Sequence, residues 1–241
     1  MLEDRRAEAA DRVIVALDCD RTEAVALAHK LAGKARWVKV GMTLFYAEGP
    51  SIVDYFRSQG FKVFLDLKLF DIPHQVRGAA ASAVATGADI LSIHGLGGAD
   101  MVQAARAGAD SCDRDVEPRV IAITVLTSMS QGTLETIGVG EPLTDEVKRL
   151  ATLACTNGAD GVVCSPNEAA MLRELLGPDA LIVTPGVRPT GAALGDQSRV
   201  ATPAGAIKAG ASHLVVGRPI TAADDPVATF DAIVDEVAEA L

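Results

Sequence analysis

The chain has 241 residues, 49% of them hydrophobic and 22% charged, with a formal net charge of −10. This is a globular composition with ample material for a core. The acidic balance argues against a sequence-independent grip on nucleic acid or on an anionic membrane surface. No apolar run approaches the length of a membrane span. Cys19, Cys112, Cys155 and Cys164 are scattered without a C-x-x-C, which reads as small buried hydrophobes in a reduced, cytoplasmic protein.

The polar, mixed-charge start does not have the pattern of a signal peptide. The first short apolar run is Val13–Leu17, a predicted strand that ends at Asp18. A helical pattern over Glu23–Leu31 follows, then a strand over Trp37–Val40 that carries Lys39 between Val38 and Val40. The next strand, Val63–Leu67, is the most informative. Asp66 and Lys68 lie two apart and point to the same face of an otherwise buried strand, and Asp71 follows just before Pro73. A protein interior accepts such charges when they are paired or used, and a pair that is only structural adds little over apolar packing.

A helical pattern over Val76–Thr86 leads to a strand at Ile90–Ile93, which ends at His94, and a further strand is predicted at Val120–Val125. Thr127 and Ser128 come next; they could hydrogen-bond a heterocycle or simply start the turn. The long segment from Met129 to Thr144 reads either as a lid or as a surface loop. A helix over Glu146–Thr156 precedes strands at Gly161–Val163, Leu181–Val183 and Leu214–Val216. Three αβ turns share a weak repeat: Gly87-Ala88-Asp89, Gly158-Ala159-Asp160 and Gly210-Ala211-Ser212.

Eight strands alternating with helices predict a (β/α)8 TIM barrel, read as a single domain over residues 1–241. Polar residues at the C-terminal ends of the strands are then candidates for chemistry. Alternation places Ile14, Ala16 and Asp18 on one face of the first strand, with Val13, Val15 and Leu17 on the other. Asp18, Lys39, Asp66 and Lys68 therefore converge on the barrel mouth. Pro185, Gly186 and Arg188 follow the seventh strand, and Gly217 and Arg218 follow the eighth, where barrels often hold a phosphate. Gly217 would let the phosphate approach the backbone, and either arginine could grip it with two N–H donors. No His, Asp and Glu cluster has metal-ligand spacing, so no metal is expected.

In sequence order, D-x-K-x-x-D-I-P at Asp66, Lys68, Asp71, Ile72 and Pro73, the strand-end Asp18 and Lys39, Leu126-Thr127-Ser128, Pro185-Gly186-Val187-Arg188-Pro189, Asp196-Gln197 with Arg199, and Val216-Gly217-Arg218-Pro219 resemble the orotidine 5′-phosphate decarboxylase family. Two positions depart from the common family pattern. His74 and Gln75 stand where Asn and Thr are usual, and Phe70 stands where a His often precedes the second Asp.

The resemblance implies decarboxylation of orotidine 5′-monophosphate without cofactor or metal, with Lys68 as general acid and Asp66 beside the departing carboxylate. Lys39 and Asp71 would complete an alternating charge array, with Asp71 donated across a homodimer interface into the partner's site. Substrate contacts are implied for Asp18, Lys39, Asp66, Asp71, Ile72, Gln75, Thr127, Ser128, Pro185, Arg188, Gln197, Gly217 and Arg218. A sugar-phosphate decarboxylase of the same superfamily shares D-x-K-x-x-D but uses Mg2+, with a Glu at the position of Lys39.

Overall fold

The computed structural model describes residues 2–113, 117–189 and 201–241. Eight parallel strands close into a barrel in chain order. They are β1 (Val13–Ala16), β2 (Trp37–Gly41), β3 (Lys62–Leu69), β4 (Ile90–His94), β5 (Arg119–Ile123), β6 (Gly161–Val163), β7 (Leu181–Thr184) and β8 (His213–Val216). β8 returns to pair with β1, with Ile14 opposite Val215. The expected (β/α)8 barrel is the architecture observed.

The predicted boundaries shift where local chemistry competes. β5 stops at Ile123 rather than Val125, because both the backbone N–H and the hydroxyl of Thr124 turn onto the Val163 carbonyl. The helix Arg21–Leu31 starts two residues before the expected Glu23, because the Asp20 carboxylate accepts the Glu23 N–H at 2.9 Å. The segment from Met129 to Thr144 contains a short helix, Gln131–Thr136, capped by Ser130, before the helix Leu143–Thr156 begins.

Alternation sorts the side chains as period two requires. Ile14, Ala16, Trp37, Phe64, Ile90, Ile121, Val183 and Val215 pack together inside the barrel. Val13, Val15, Leu17, Val38, Val40, Val63 and Leu65 face outward into a larger core shared with the helices. Below the inner layer, the Trp37 indole donates to Asp11 at 3.0 Å and meets the His213 ring edge-on. The interior beneath the mouth is thus filled by this apolar layer.

The weak sequence repeat corresponds to a repeated clamp on the opposite face. Gly87, Gly158 and Gly210 all have positive φ, at 93°, 104° and 100°. Each packs against an arginine, where a Cβ would lie 3.2 Å from Arg57, 3.2 Å from Arg106 or 2.8 Å from Arg173. Those arginines reach Asp89 at 2.8 Å, Asp160 at 2.9 Å and Ser212 at 2.8 Å. The same three side chains accept the backbone N–H of Val63, Val120 and Ile182. Each clamp therefore ties one odd-numbered strand to the turn that opens the next strand. Polar groups on this face of a barrel serve stability.

Candidate active site

The charges predicted to converge do so. Lys39 rises from the inner face of β2, and its Nζ donates to Asp18 Oδ1 at 2.7 Å and lies 3.5 Å from Asp66 Oδ2. Lys68 Nζ donates to the same Asp66 oxygen at 2.8 Å. Lys39 and Asp66 are buried, whereas Lys68 is partly open and Asp18 lies exposed at the rim. One carboxylate thus sits between two ammoniums. Burial alone pushes the Asp66 carboxyl up. The Lys39 and Lys68 charges, with hydrogen bonds from Lys68 and Ser92, outweigh burial and hold it below the usual carboxylate range.

The backbone is strained within this charge array. Lys68 has φ 53°, the only positive φ on a non-glycine residue among those described. Such a conformation costs an ordinary residue about 1–2 kcal/mol and persists where the surroundings impose it. Its imposition is visible in the β3–β4 ladder, which shifts register between Leu65 and Leu69.

Two adjoining cavities open at the mouth. The first, of about 320 Å³, is lined by the polar Asp18, Lys39, Asp66, Lys68 and Thr127 and by the apolar Phe64, Ile123, Val125, Leu126 and Val163. The second, of about 420 Å³, is lined by Gly186, Arg188, Gly217, Arg218 and Thr221. Asp18, Pro185 and Val215 line both and mark the junction. Burial and the neighbouring Arg218 guanidinium push the pKa of Arg188 down, a crowding of positive charge that a bound anion would relieve. A Cβ on Gly217 would come no closer to the protein than 3.6 Å, at Ala16, so its absence leaves open space in the cup.

Other expected residues stand apart. Asp71, Ile72 and Gln75 are exposed and line neither cavity. Asp71 Oδ1 accepts the Ile72 N–H at 2.6 Å, and Asp71 makes no ion pair among the described residues. Ser128 is exposed and lines neither cavity, whereas Thr127 lines the first. Gln197, with Asp196 and Arg199, lies outside the described residues. His94, at the end of β4, accepts the Leu96 N–H at Nδ1 and packs against Phe70. Among the described residues no group of three or more His, Cys, Asp or Glu could hold a metal ion, and no helix is long and apolar enough to cross a membrane. Burial pushes the Cys19 and Cys155 thiols up to about 11, so neither is poised as a thiolate.

Two contributors escaped the sequence reading. A Cβ on Gly41 would lie 2.9 Å from Asp18 Oδ1 and 3.0 Å from Lys39 Nζ, so that glycine makes room for the ion pair. Ser92 is buried beside Asp66 and donates to its Oδ1 at 2.8 Å. Ser92 did leave a signal: it is a lone hydroxyl in the apolar run Ile90–His94 at an inward-facing position.

Residues 11–233 match the family described as orotidine 5′-phosphate decarboxylase / HUMPS. Orotidine 5′-phosphate decarboxylases of Alkalilimnicola ehrlichii and Halorhodospira halophila are 51% and 50% identical to the chain. These alignments cover 94% and 95% of it and 96% and 97% of those proteins. The crystal structure of orotidine 5′-phosphate decarboxylase from Lactobacillus acidophilus matches with a TM-score of 0.85 at 39% identity, covering 94% of this chain and 99% of that one. With barrel, charge array and relatives in agreement over nearly its full length, the chain belongs to the orotidine 5′-phosphate decarboxylase / HUMPS family.

Proposed function

We propose that the chain decarboxylates orotidine 5′-monophosphate to UMP and CO2 in de novo pyrimidine biosynthesis, using neither metal nor organic cofactor, as a cytoplasmic homodimer. The observation that carries this reading is Lys68 Nζ, held 2.8 Å from the buried Asp66 in a cavity that continues into the arginine-lined cup. The phosphate occupies the cup, gripped by Arg188, Arg218 and the Gly217 backbone. The ribose hydroxyls meet Asp18 and Lys39 at the junction. The pyrimidine lies beside Lys68, with Thr127 and Pro185 near it and the Ile123–Val125–Val163 wall excluding water.

The C6–carboxylate bond breaks and CO2 departs, while the electron pair stays on C6 in the ring plane. The Lys68 ammonium stabilises that charge and then transfers its proton to C6, giving UMP. The resulting amine regains a proton from water. Asp66 stands next to the leaving carboxylate and holds the ammonium in position to donate its proton to C6. Phosphate binding remote from C6 supplies energy for closure around the ring.

The Mg2+-dependent sugar-phosphate reading is disfavoured by Lys39, whose ammonium sits between Asp18 and Asp66 where that mechanism needs room for a metal cation. Purified protein should therefore remove the absorbance of orotidine 5′-monophosphate, form UMP, and do so equally in EDTA. Turnover lost in EDTA and restored by Mg2+ sinks the metal-free mechanism. Saturable binding with no absorbance change sinks the enzyme reading itself.

Gly41→Ala tests the junction. Its backbone, φ −91° and ψ 179°, suits alanine, so folding is spared. The new methyl forces the tips of Asp18 and Lys39 apart, and KM should rise about tenfold or more through misplaced ribose contacts. An unchanged KM and kcat in steady-state assays would remove Asp18 and Lys39 from the substrate site.

A further inference from the structure

β3 and β4 run in register at Leu65 opposite Leu91, and are paired again at Leu69 opposite Ile93. Between these points Asp66, Leu67 and Lys68 stand against a single residue, Ser92. Two extra residues on one strand are left without ladder partners, and that strand bends. The bend is where Lys68 takes its φ of 53°. The Lys68 N–H is not left bare: it donates to Ser92 Oγ at 2.9 Å. The same hydroxyl donates to Asp66 Oδ1 at 2.8 Å.

A serine hydroxyl has one proton and two lone pairs. Because the Lys68 N–H is a donor, it must take a lone pair, and the one hydroxyl proton goes to the carboxylate. Ser92 is fully buried, so no water competes for either bond. With Oδ1 fixed by Ser92, Oδ2 is the oxygen presented to both Lys68 Nζ and Lys39 Nζ.

We infer that Ser92 is a positioning residue: its hydroxyl holds the Asp66 carboxylate and the Lys68 backbone together, and so aims the Lys68 ammonium at the reacting carbon. This rests on the decarboxylase reading above. Ser92 touches no substrate; it acts through the two residues that do. Its loss should therefore appear in kcat, while KM and the affinity for the product UMP, set by the ribose and phosphate contacts, stay near wild type.

The test is steady-state kinetics on the full chain with orotidine 5′-monophosphate, alongside UMP binding, for wild type, Ser92→Ala, Ser92→Thr and Ser92→Cys. Ser92→Ala should lower kcat about 10- to 100-fold with KM changed less than about threefold. Ser92→Thr keeps the hydroxyl and should recover most of the loss. Ser92→Cys keeps the shape with a weaker donor and should fall between wild type and Ser92→Ala. If Ser92→Ala does not fold, Ser92→Cys decides: a kcat equal to wild type overturns the inference, and a reduced kcat at unchanged KM supports it. An active wild type whose Ser92→Ala variant keeps its kcat, or whose Thr and Ala variants are equally impaired, overturns the inference and leaves the decarboxylase reading standing. An inactive wild type overturns both.

Discussion

Lys68→Ala is expected to abolish decarboxylation, with kcat reduced by at least about 10⁴-fold, while the protein stays folded and still binds UMP. The size follows from the two tasks lost together. An ammonium facing a developing charge in a water-poor site contributes about 3–4 kcal/mol, and a positioned general acid contributes a further 10²–10⁴-fold or so. Folding survives because Asp66 keeps Lys39 at 3.5 Å and the Ser92 hydroxyl at 2.8 Å, so the buried carboxylate is not orphaned. The backbone adds a control. Alanine has a Cβ and inherits the strain at φ 53°, whereas glycine does not. Lys68→Gly should therefore be more stable than Lys68→Ala by about 1 kcal/mol in denaturant melts, yet equally inactive. Near-wild-type turnover by either variant would end the assignment of Lys68 as proton donor. Glycine and alanine melting alike would show that the backbone at this position stores no strain.

That strained lysine marks the limit of what could be read from the amino acids. The barrel was legible because its signals are periodic. Each strand is a short apolar run, and the inner face is named by alternation, down to Ile14, Ala16 and Phe64. The charges at Lys39, Asp66 and Lys68 were legible for the same reason, since each breaks an apolar run on an inward-facing position. The repeated Gly-Ala-Asp turns were visible as turns, but not as the arginine clamps they form. The clamps join residues about 30 to 55 apart, and no local pattern encodes such a pairing. Ser92 and Gly41 were missed on different grounds. A lone buried serine is common, and its importance depends on a register shift that only the folded ladder reveals. Gly41 matters through the space a side chain would fill, which is a property of its neighbours, Asp18 and Lys39.

Asp71 leads to the second large effect, because the structure of one chain leaves it outside the array. Its carboxylate is exposed at the rim, bonded to the Ile72 N–H, and it lines neither cavity. The residues beside it are unusual for a free surface: Phe70 is 61% exposed and Ile72 63%, and Met42 and Leu96, in the short helices that follow β2 and β4, are also open. Large apolar side chains left open beside Asp71 fit a surface that another chain covers. An isologous dimer formed there would bury Phe70 and Ile72 and carry each Asp71 toward the partner's Lys68, completing an alternating array of two ammoniums and two carboxylates. Asp71→Ala alone should then lower kcat by at least about 100-fold, through loss of a charge that orients the Lys68 ammonium. The decisive experiment mixes it with Lys68→Ala. Each homodimer is inactive, but a hybrid contains one site with both residues and one with neither. Random exchange of equal amounts makes half the dimers hybrid, so about a quarter of wild-type activity should return. A self-contained site predicts no recovery at all, and verified subunit exchange without recovery would return Asp71 to the role of a surface cap. Recovery near one quarter would instead establish that each chain, folded and complete in its barrel, lacks one charge of its own active site.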